Sequence, residues 1–314
     1  MRLPKLYVRG WFLTLPLCLL LCFTSFSQDN DGTGRNRGPG KPITVPVTLR
    51  LAKPVEMRVV DFLLREDGDM QTILSIHHQN DTPLTLALLL QDDLVSSINT
   101  ETRGLANFIA NQPSGTKVMT AYIRSGSLAV HRRFTTDLEK AATTLRPPTG
   151  SAALAPYNPY VEIIEALKRF DSQPLGRRAI IVVTDGLDIS RGMDSSIPSQ
   201  SVDLQRAISD AQKRSVAIYS IYVPSAGLAG NQFLLINAQS CLERLSSETG
   251  GRAFFQGTAA PVSFDPFLKQ IDELLARQLA VTYLSTHMAK GFHKLDIKPL
   301  DKDIELRHPA GYTR

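Results

Sequence analysis

Short apolar runs that alternate with amphipathic segments constrain the fold of this chain more than any other feature. The run "LALLL" at residues 86–90 gives way abruptly to polar residues, and "IIVVT" at 180–184 has the same character. A strand with no polar position is buried on both faces, as in a parallel sheet that helices cover on both sides. The predicted strands are Leu86–Leu90, Val118–Ile123, Ala179–Thr184, Val216–Val223 and Arg252–Phe255.

Amphipathic segments with helix-start signals lie between these strands. Asn158-Pro159 and Asp265-Pro266 each place a capping residue before a proline, which is favoured at the first position of a helix. The alternation predicts a doubly wound, mostly parallel α/β sheet. The predicted helices are 98–111, 137–145, 159–170, 201–214, 238–248 and 266–279.

Both ends of the chain have a different pattern, with a period of two. Residues 43–51, "ITVPVTLRL", place apolar side chains on one face, and Pro46 favours an edge position. "FLLREDGDMQTILSI" at 62–76 predicts a hairpin around Glu66-Asp67-Gly68, and "HKLDIKPLDKDIELRHP" at 293–309 alternates again. We therefore expect an antiparallel β layer built from the two terminal segments.

The first 30 residues, "MRLPKLYVRGWFLTLPLCLLLCFTSFSQDN", have the basic start, apolar run and small-residue end of a secretory signal peptide. The run is shorter than the ~20 residues of a spanning helix, so no membrane span is expected in the mature chain. The predicted location is periplasmic, cell-surface or extracellular. The predicted division is a signal peptide at 1–27, a disordered linker at 28–42, an N-terminal β segment at 43–80, an α/β domain at 83–280 and a C-terminal β segment at 281–314.

Composition excludes some function classes. Removal of residues 1–27 would lower the formal net charge from +5 to +2, and the remaining basic pairs are scattered without aromatic residues between them. Nucleic acid is therefore not an expected partner. Cys241 would be the only cysteine of the mature chain, so no internal disulfide is expected, and a small core residue is its predicted role.

Motifs of common α/β enzymes are missing from the sequence. There is no G-x-S-x-G elbow for a nucleophilic serine and no G-x-x-x-x-G-K-[ST] loop for phosphates. The adjacent His77 and His78 would point to opposite faces of a strand, which favours a surface pair over a metal site. We therefore expect a protein that is not an enzyme.

An ordered set of segments resembles secreted bacterial proteins with a von Willebrand factor type A domain. The set comprises "DFLLREDGDMQTI", "LALLL" before a polar loop, "RRAIIVVTDGLD", "SVAIYSIYV", "ETGGRAFF" and "GYT", and it covers most of residues 43–312. The resemblance implies a metal-ion-dependent adhesion site at the carboxyl ends of the strands. In such a site, hard oxygen ligands hold Mg²⁺ or Mn²⁺ and leave one position for a carboxylate of a partner protein.

The resemblance transfers to individual positions unevenly. Asp185 in "VVTDG" matches the aspartate of the third loop, and Gly186 permits the turn. The second loop, "PPTGSAALAPY", offers Ser151 or Thr149 as a ligand.

The first loop departs from the family's Asp-x-Ser-x-Ser pattern. Alignment without gaps places Gln91, Asp93 and Val95 at the three ligand positions, a shift of one places Asp92, Leu94 and Ser96, and a shift of two places Asp93, Val95 and Ser97. No register supplies three ligands. The alternative is that Asp92 and Asp93 are solvated and that Ser96 or Ser97 caps the next helix.

These observations leave three hypotheses. The first is an exported, non-enzymatic recognition or adhesion module whose loops 91–97, 149–157 and 185–197 bind a protein partner, with Mg²⁺ or Mn²⁺ held by Asp185, Asp93, Ser96, Asp92 and Ser151. The second is a metal-free scaffold of the same fold that uses its terminal β layer or its 224–236 loop. The third, an enzyme with a Rossmann-like sheet, lacks a nucleophile or a phosphate loop to support it.

Overall fold

A six-stranded sheet organises the computed structural model, which describes residues 37–50, 57–225 and 231–314. The signal peptide, most of the linker, Leu51 and residues 226–230 of the 224–236 loop lie outside the described residues. The strands are β1 (Arg37–Arg50), β2 (Phe62–Glu66), β3 (Asp69–Met70), β4 (Thr72–His77), β5 (Thr85–Gln91), β6 (Lys117–Arg124), β7 (Ser127–Thr135), β8 (Arg178–Thr184), β9 (Ala217–Tyr222), β10 (Ala253–Phe254), β11 (Gln278–His287), β12 (Phe292–Pro299), β13 (Glu305–Arg307) and β14 (Gly311–Thr313). The helices are α1 (Thr102–Ala110), α2 (Leu138–Ala142), α3 (Tyr160–Lys168), α4 (Val202–Lys213), α5 (Gln232–Glu248) and α6 (Asp265–Ala276).

The central sheet has the strand order β10-β9-β8-β5-β6-β7. All its neighbouring strands are parallel except the β6–β7 pair. Every residue of β5, β8 and β9 is buried. One apolar core packs α1, α2 and α6 against one face, and a second core packs α3, α4 and α5 against the other. The predicted doubly wound, mostly parallel sheet is therefore confirmed.

The strand order creates a switch point beside β5. The chain builds outward from β5 through β6 to β7, then returns to the other side of β5 and builds outward through β8 and β9 to β10. In open α/β sheets of this kind, the crevice at the carboxyl ends of the two strands that flank the reversal is the common ligand site. In this protein those strands are β5 and β8.

The terminal segments form two four-stranded antiparallel sheets. We call β13-β1-β11-β4 the first terminal sheet and β14-β12-β2-β3 the second. A shared apolar core that includes Val45, Leu64, Tyr283 and Leu295 packs between them. The expected antiparallel layer is thus confirmed, although it comprises two sheets. The reason is that the second arm of the predicted hairpin ends after the two residues of β3, and β4 joins the other sheet.

Local details differ from the sequence-based expectations. β1 begins at Arg37, inside the segment expected to be disordered, because pairing with β11 satisfies its backbone. Pro46 lies on an inner strand, but β13 pairs with β1 only from Thr48 onward, so the proline faces no second neighbour. Helix α5 begins at Gln232, where Asn231 accepts a hydrogen bond from the Leu234 amide and caps it. None of the helices in the described part of the chain has the length and apolarity that crossing a bilayer requires.

Candidate cation site at the switch point

Three polar residues at the end of β5 are buried, which argues against the alternative in which Asp92 and Asp93 are solvated. Gln91 and Asp92 are fully buried and Asp93 is 3% exposed. A buried carboxylate requires a compensating positive charge, hydrogen bonds or a proton. The partners of each side chain therefore indicate what this loop can do.

Two arginines form ion pairs with the carboxylate of Asp92. Arg146 donates from Nη1 to Oδ1 at 2.8 Å and from Nη2 to Oδ2 at 2.6 Å, and Arg124 donates from Nε to Oδ2 at 2.8 Å. The amide of Thr149 adds a hydrogen bond of 3.1 Å to Oδ1. Burial alone would raise the pKa of Asp92, but the hydrogen bonds and charge of Arg146 lower it below its ordinary value. Both oxygens already have cationic partners, so this geometry does not favour Asp92 as a metal ligand.

Asp93 and Asp185 are buried without such partners. Neither forms an ion pair with any residue in the described ranges. Burial raises the pKa of Asp93, and the negative charge of Asp92 raises it further. Asp185 is 5% exposed, and burial together with the charge of Asp93 raises its pKa to about 6 despite hydrogen bonds from Leu187 and Ser225. Burial therefore destabilises the charged form of both carboxylates, and the charge of Asp93 destabilises that of Asp185 further.

Gln91 joins the two strands at the switch point. Its Oε1 accepts a hydrogen bond from the Thr184 hydroxyl and another of 3.2 Å from the Asp185 amide, while its Nε2 donates to Asp93 Oδ1 at 2.8 Å. An amide nitrogen is not a metal ligand, so Gln91 can contribute only Oε1. We call Gln91, Asp93, Thr184 and Asp185 the switch-point site. Its side-chain oxygens are hard ligands of the kind that Mg²⁺ and Mn²⁺ prefer.

The other predicted ligands lie at the surface. Ser96 is exposed at the start of a 3₁₀ helix, Ser96–Glu101, whose capping residue is Val95. Ser151 is also exposed and precedes the 3₁₀ helix Ala152–Leu154 without a capping hydrogen bond from its side chain. In the second loop, the Thr149 hydroxyl donates to the backbone carbonyl of Asp92 at 3.0 Å. The structure brings Asp93 and Asp185 together, and it places Ser96 and Ser151 outside the buried site.

Sequence reasoning missed the arginines that bind Asp92. Arg146 is 54 positions from Asp92 and Arg124 is 32 positions away, so no local pattern connects them. The sequence position of Arg124 could have indicated this contact, because Arg124 is the last residue of the strand that pairs with β5. A basic residue there lies at the same sheet edge as the acidic loop.

Comparisons with known proteins return low similarities. No family model and no curated protein sequence matches the chain. Among solved structures, an aerotolerance-related membrane protein from Bacteroides fragilis NCTC 9343 is 14% identical, with a TM-score of 0.44 over 61% of this chain and 98% of that chain. BatB from Bacteroides thetaiotaomicron is also 14% identical, with a TM-score of 0.40 over 62% and 97% of the two chains. The SpRpn10 VWA domain is 16% identical, with a TM-score of 0.36 over 62% and 93%. At these values, the fold assignment rests on the strand order of the chain itself.

Proposed function

We propose that this chain is an exported, non-enzymatic recognition module that binds a protein partner at the switch-point loops, with Mg²⁺ or Mn²⁺ held by Asp185 and Asp93. One observation carries the proposal. Two buried carboxylates lie together at the carboxyl ends of β5 and β8; burial raises the pKa of both, and the charge of Asp93 raises that of Asp185 further. A divalent cation between them would remove that cost.

The roles of the two carboxylates follow from their positions. Asp185 ends the strand on one side of the reversal and is our first choice of ligand, and Asp93 approaches from the loop after β5. Mg²⁺ bound by one or two carboxylates keeps several waters, one of which a partner carboxylate can replace. Ser96 and Ser151 join the ligand set only if their loops move inward, and Asp92 only if it releases its arginines.

The non-enzymatic part of the proposal is supported by Cys241. Its thiol is fully buried and donates to the Ser196 carbonyl at 3.3 Å. Burial raises the pKa of Cys241 to about 12, whereas a reactive cysteine needs a lowered pKa and access to solvent. The thiol is therefore a core residue and not a candidate nucleophile.

Thermal unfolding followed by circular dichroism tests the cation. The protein in chelator is compared with the protein in excess Mg²⁺ or Mn²⁺, alongside Asp185→Ala. A ligand at a hundred times its Kd stabilises the folded state by about 2.7 kcal/mol, a shift of a few degrees in Tm. Asp194→Ala is the matched control, because Asp194 is an exposed aspartate of the same loop. We expect the shift in the parent and the control, and its loss in Asp185→Ala.

A second candidate, a metal-free scaffold, is favoured by the hydrogen bonds of Gln91. Its carboxamide already links Thr184, Asp185 and Asp93 without an ion. In that case neither metal nor chelator would alter Tm, and a bound partner would be retained in chelator. The two candidates therefore separate in the same experiment.

A further inference from the structure

A second group of histidine and acidic side chains lies in the terminal sheets, far in sequence from the switch-point site. His287 ends β11, His293 lies in β12, and Asp67 occupies the turn between β2 and β3. One potential ligand atom from each lies within 4.8 Å of those of the other two. The histidines are 5% and 4% exposed. We call these three residues, with Glu66, the hairpin cluster.

Hydrogen bonding sets the orientation of His293. Its Nε2 lies 2.9 Å from the Ala289 carbonyl and donates to it. This leaves Nδ1 facing two acidic oxygens, Asp67 Oδ2 at 2.8 Å and Glu66 Oε1 at 3.7 Å. A neutral imidazole would point a lone pair at these oxygens, so a positive charge belongs at this position. A backbone carbonyl behind the opposite ring nitrogen is the usual outer partner of a metal-binding histidine.

His287 has a matching arrangement. Its Nδ1 lies 3.9 Å from Asp67 Oδ2, on the side of His293, and its Nε2 lies 3.2 Å from Asp69 Oδ2. A carboxylate behind the second nitrogen also fixes the ring of metal-binding histidines. Both imidazoles therefore turn Nδ1 toward Asp67, but only His293 Nε2 donates a hydrogen bond to an acceptor, because the 3.2 Å contact of His287 Nε2 with Asp69 lacks hydrogen-bond geometry.

Glu66 provides the independent indication of a ligand. It is fully buried, and neither of its carboxylate oxygens receives a hydrogen bond of ordinary geometry from the described residues. The buried Tyr283 hydroxyl is the neighbouring donor, and it interacts with Glu66 without the geometry of an ordinary hydrogen bond. A buried carboxylate is costly unless a cation or hydrogen bonds compensate for it. Its Oε1 is the oxygen that approaches His293 Nδ1.

We propose that the hairpin cluster binds a divalent transition-metal ion of the Zn²⁺ class through His287 Nδ1, His293 Nδ1 and Asp67 Oδ2, with the Glu66 carboxylate beside it. Bonds of about 2.0–2.1 Å place neighbouring ligand atoms of a tetrahedral zinc site about 3.3 Å apart. Asp67 Oδ2 lies 2.8 Å from His293 Nδ1 and 3.9 Å from His287 Nδ1, on both sides of that value. Imidazole ligands favour Zn²⁺ over Mg²⁺, so this site and the switch-point site differ in metal preference.

The position of the cluster gives the ion a structural role. His287 belongs to the first terminal sheet, whereas Glu66, Asp67 and His293 belong to the second sheet or its hairpin. A metal bound to His287, His293 and Asp67 joins the two sheets. Three protein ligands would leave the fourth position of a tetrahedral site to a water.

Metal titration of the purified, tag-free protein after removal of metal by chelator tests the proposal. Zn²⁺ binding is measured against a chromophoric competitor, and Co²⁺ binding by its visible absorption. We expect the parent to bind about one equivalent of Zn²⁺, and His293→Ala and His287→Ala to bind it at least tenfold more weakly. His77→Ala, which removes an exposed histidine of β4, and Asp185→Ala should bind as the parent does.

Several results would overturn the proposal. They are the lack of stoichiometric Zn²⁺ binding to the parent, unchanged affinity in both histidine variants, and a Co²⁺ spectrum typical of six oxygen ligands. The first would mean that protons on the imidazoles balance the carboxylates. Far-UV circular dichroism verifies that the variants fold. If they do not, Asp67→Asn and the Co²⁺ spectrum of the parent decide the question. Loss of Mg²⁺ dependence in Asp185→Ala affects only the switch-point proposal.

Discussion

Replacement of Asp185 by asparagine should stabilise the metal-free protein at neutral pH. The substitution keeps the shape of the side chain and an oxygen that can accept the Leu187 amide hydrogen bond, and it removes a buried negative charge next to Asp93. An asparagine amide can also donate to the Asp93 carboxylate. We therefore expect Asp185 to destabilise the metal-free folded protein, as residues of binding sites commonly do.

The magnitude follows from the pKa of Asp185. Folding raises this pKa from 3.8 to about 6, and each pH unit corresponds to about 1.4 kcal/mol, so the charged form costs about 3 kcal/mol. Below pH 3.8 the carboxyl is protonated in both states and contributes nothing. Between 3.8 and about 6 the folded state keeps a proton that the unfolded state releases, so stability falls as pH rises. Above about pH 6 the loss of folding stability no longer changes with pH.

The assay is urea unfolding in chelator, followed by circular dichroism, for the parent and Asp185→Asn from about pH 4 to about pH 8. The difference in unfolding free energy should move by about 2.4 kcal/mol in favour of the variant across this range, since a small part of the cost is already present at pH 4. In an Asp93→Asn background the movement should be smaller, because the charge of Asp93 contributes to the raised pKa. Excess Mg²⁺ should stabilise the parent alone. A difference that stays constant with pH would refute the reasoning, since it would mean that Asp185 is charged in the folded protein at no cost.

Three further substitutions or reagents test other parts of the structure. Arg146→Met should lower the unfolding free energy by about 3 kcal/mol at neutral pH, because the fully buried Asp92 would keep a single arginine. Since the pKa of Asp92 is lowered in the parent, this loss of stability should become smaller in acid. The control Arg169→Met removes an exposed ion pair and should change the unfolding free energy in urea by under about 0.5 kcal/mol. The Cys241 thiol should react with a thiol reagent only at the rate of unfolding, and rapid labelling of the native protein would contradict its burial. Gly251→Ala should prevent stable folding or cost more than about 3 kcal/mol, because a methyl group there overlaps a backbone carbonyl oxygen of β9, and a parent-like Tm would contradict that contact.

The central sheet could be predicted because the amino-acid composition of its strands indicates that they are buried. Every position from Leu86 to Leu90 is apolar, which is compatible only with burial on both faces. The antiparallel edge strand β7 escaped prediction because its half-exposed sequence, "SLAVHRRFT", mixes basic and apolar residues without a clean alternation. Composition thus identifies central strands better than edge strands.

The candidate sites show a similar limit. Asp185 could be found because it directly follows a predicted strand, and the carboxyl ends of parallel strands meet at one edge. The pairing of Asp92 with Arg146 could not be predicted from the sequence, because it depends on how the loop after α2 folds back over β6. The hairpin cluster was also missed: Asp67 and His293 are 226 positions apart and become neighbours only when β2 pairs with β12.

The pairing of β1 with β11 has a consequence for how the chain acquires its structure during synthesis. Thr44 and Thr282, which hydrogen-bond through their hydroxyls, are 238 positions apart, and the whole central sheet lies between them in sequence. Contacts of such separation form late, because closing the intervening loop is entropically costly. The central sheet can therefore form while β1 is still unpaired. At that stage the apolar face of β1 is exposed, and it comprises Ile43, Val45 and Val47. An unpaired apolar strand is prone to aggregation, so a nascent or truncated chain that lacks β11 would depend on chaperones to remain soluble.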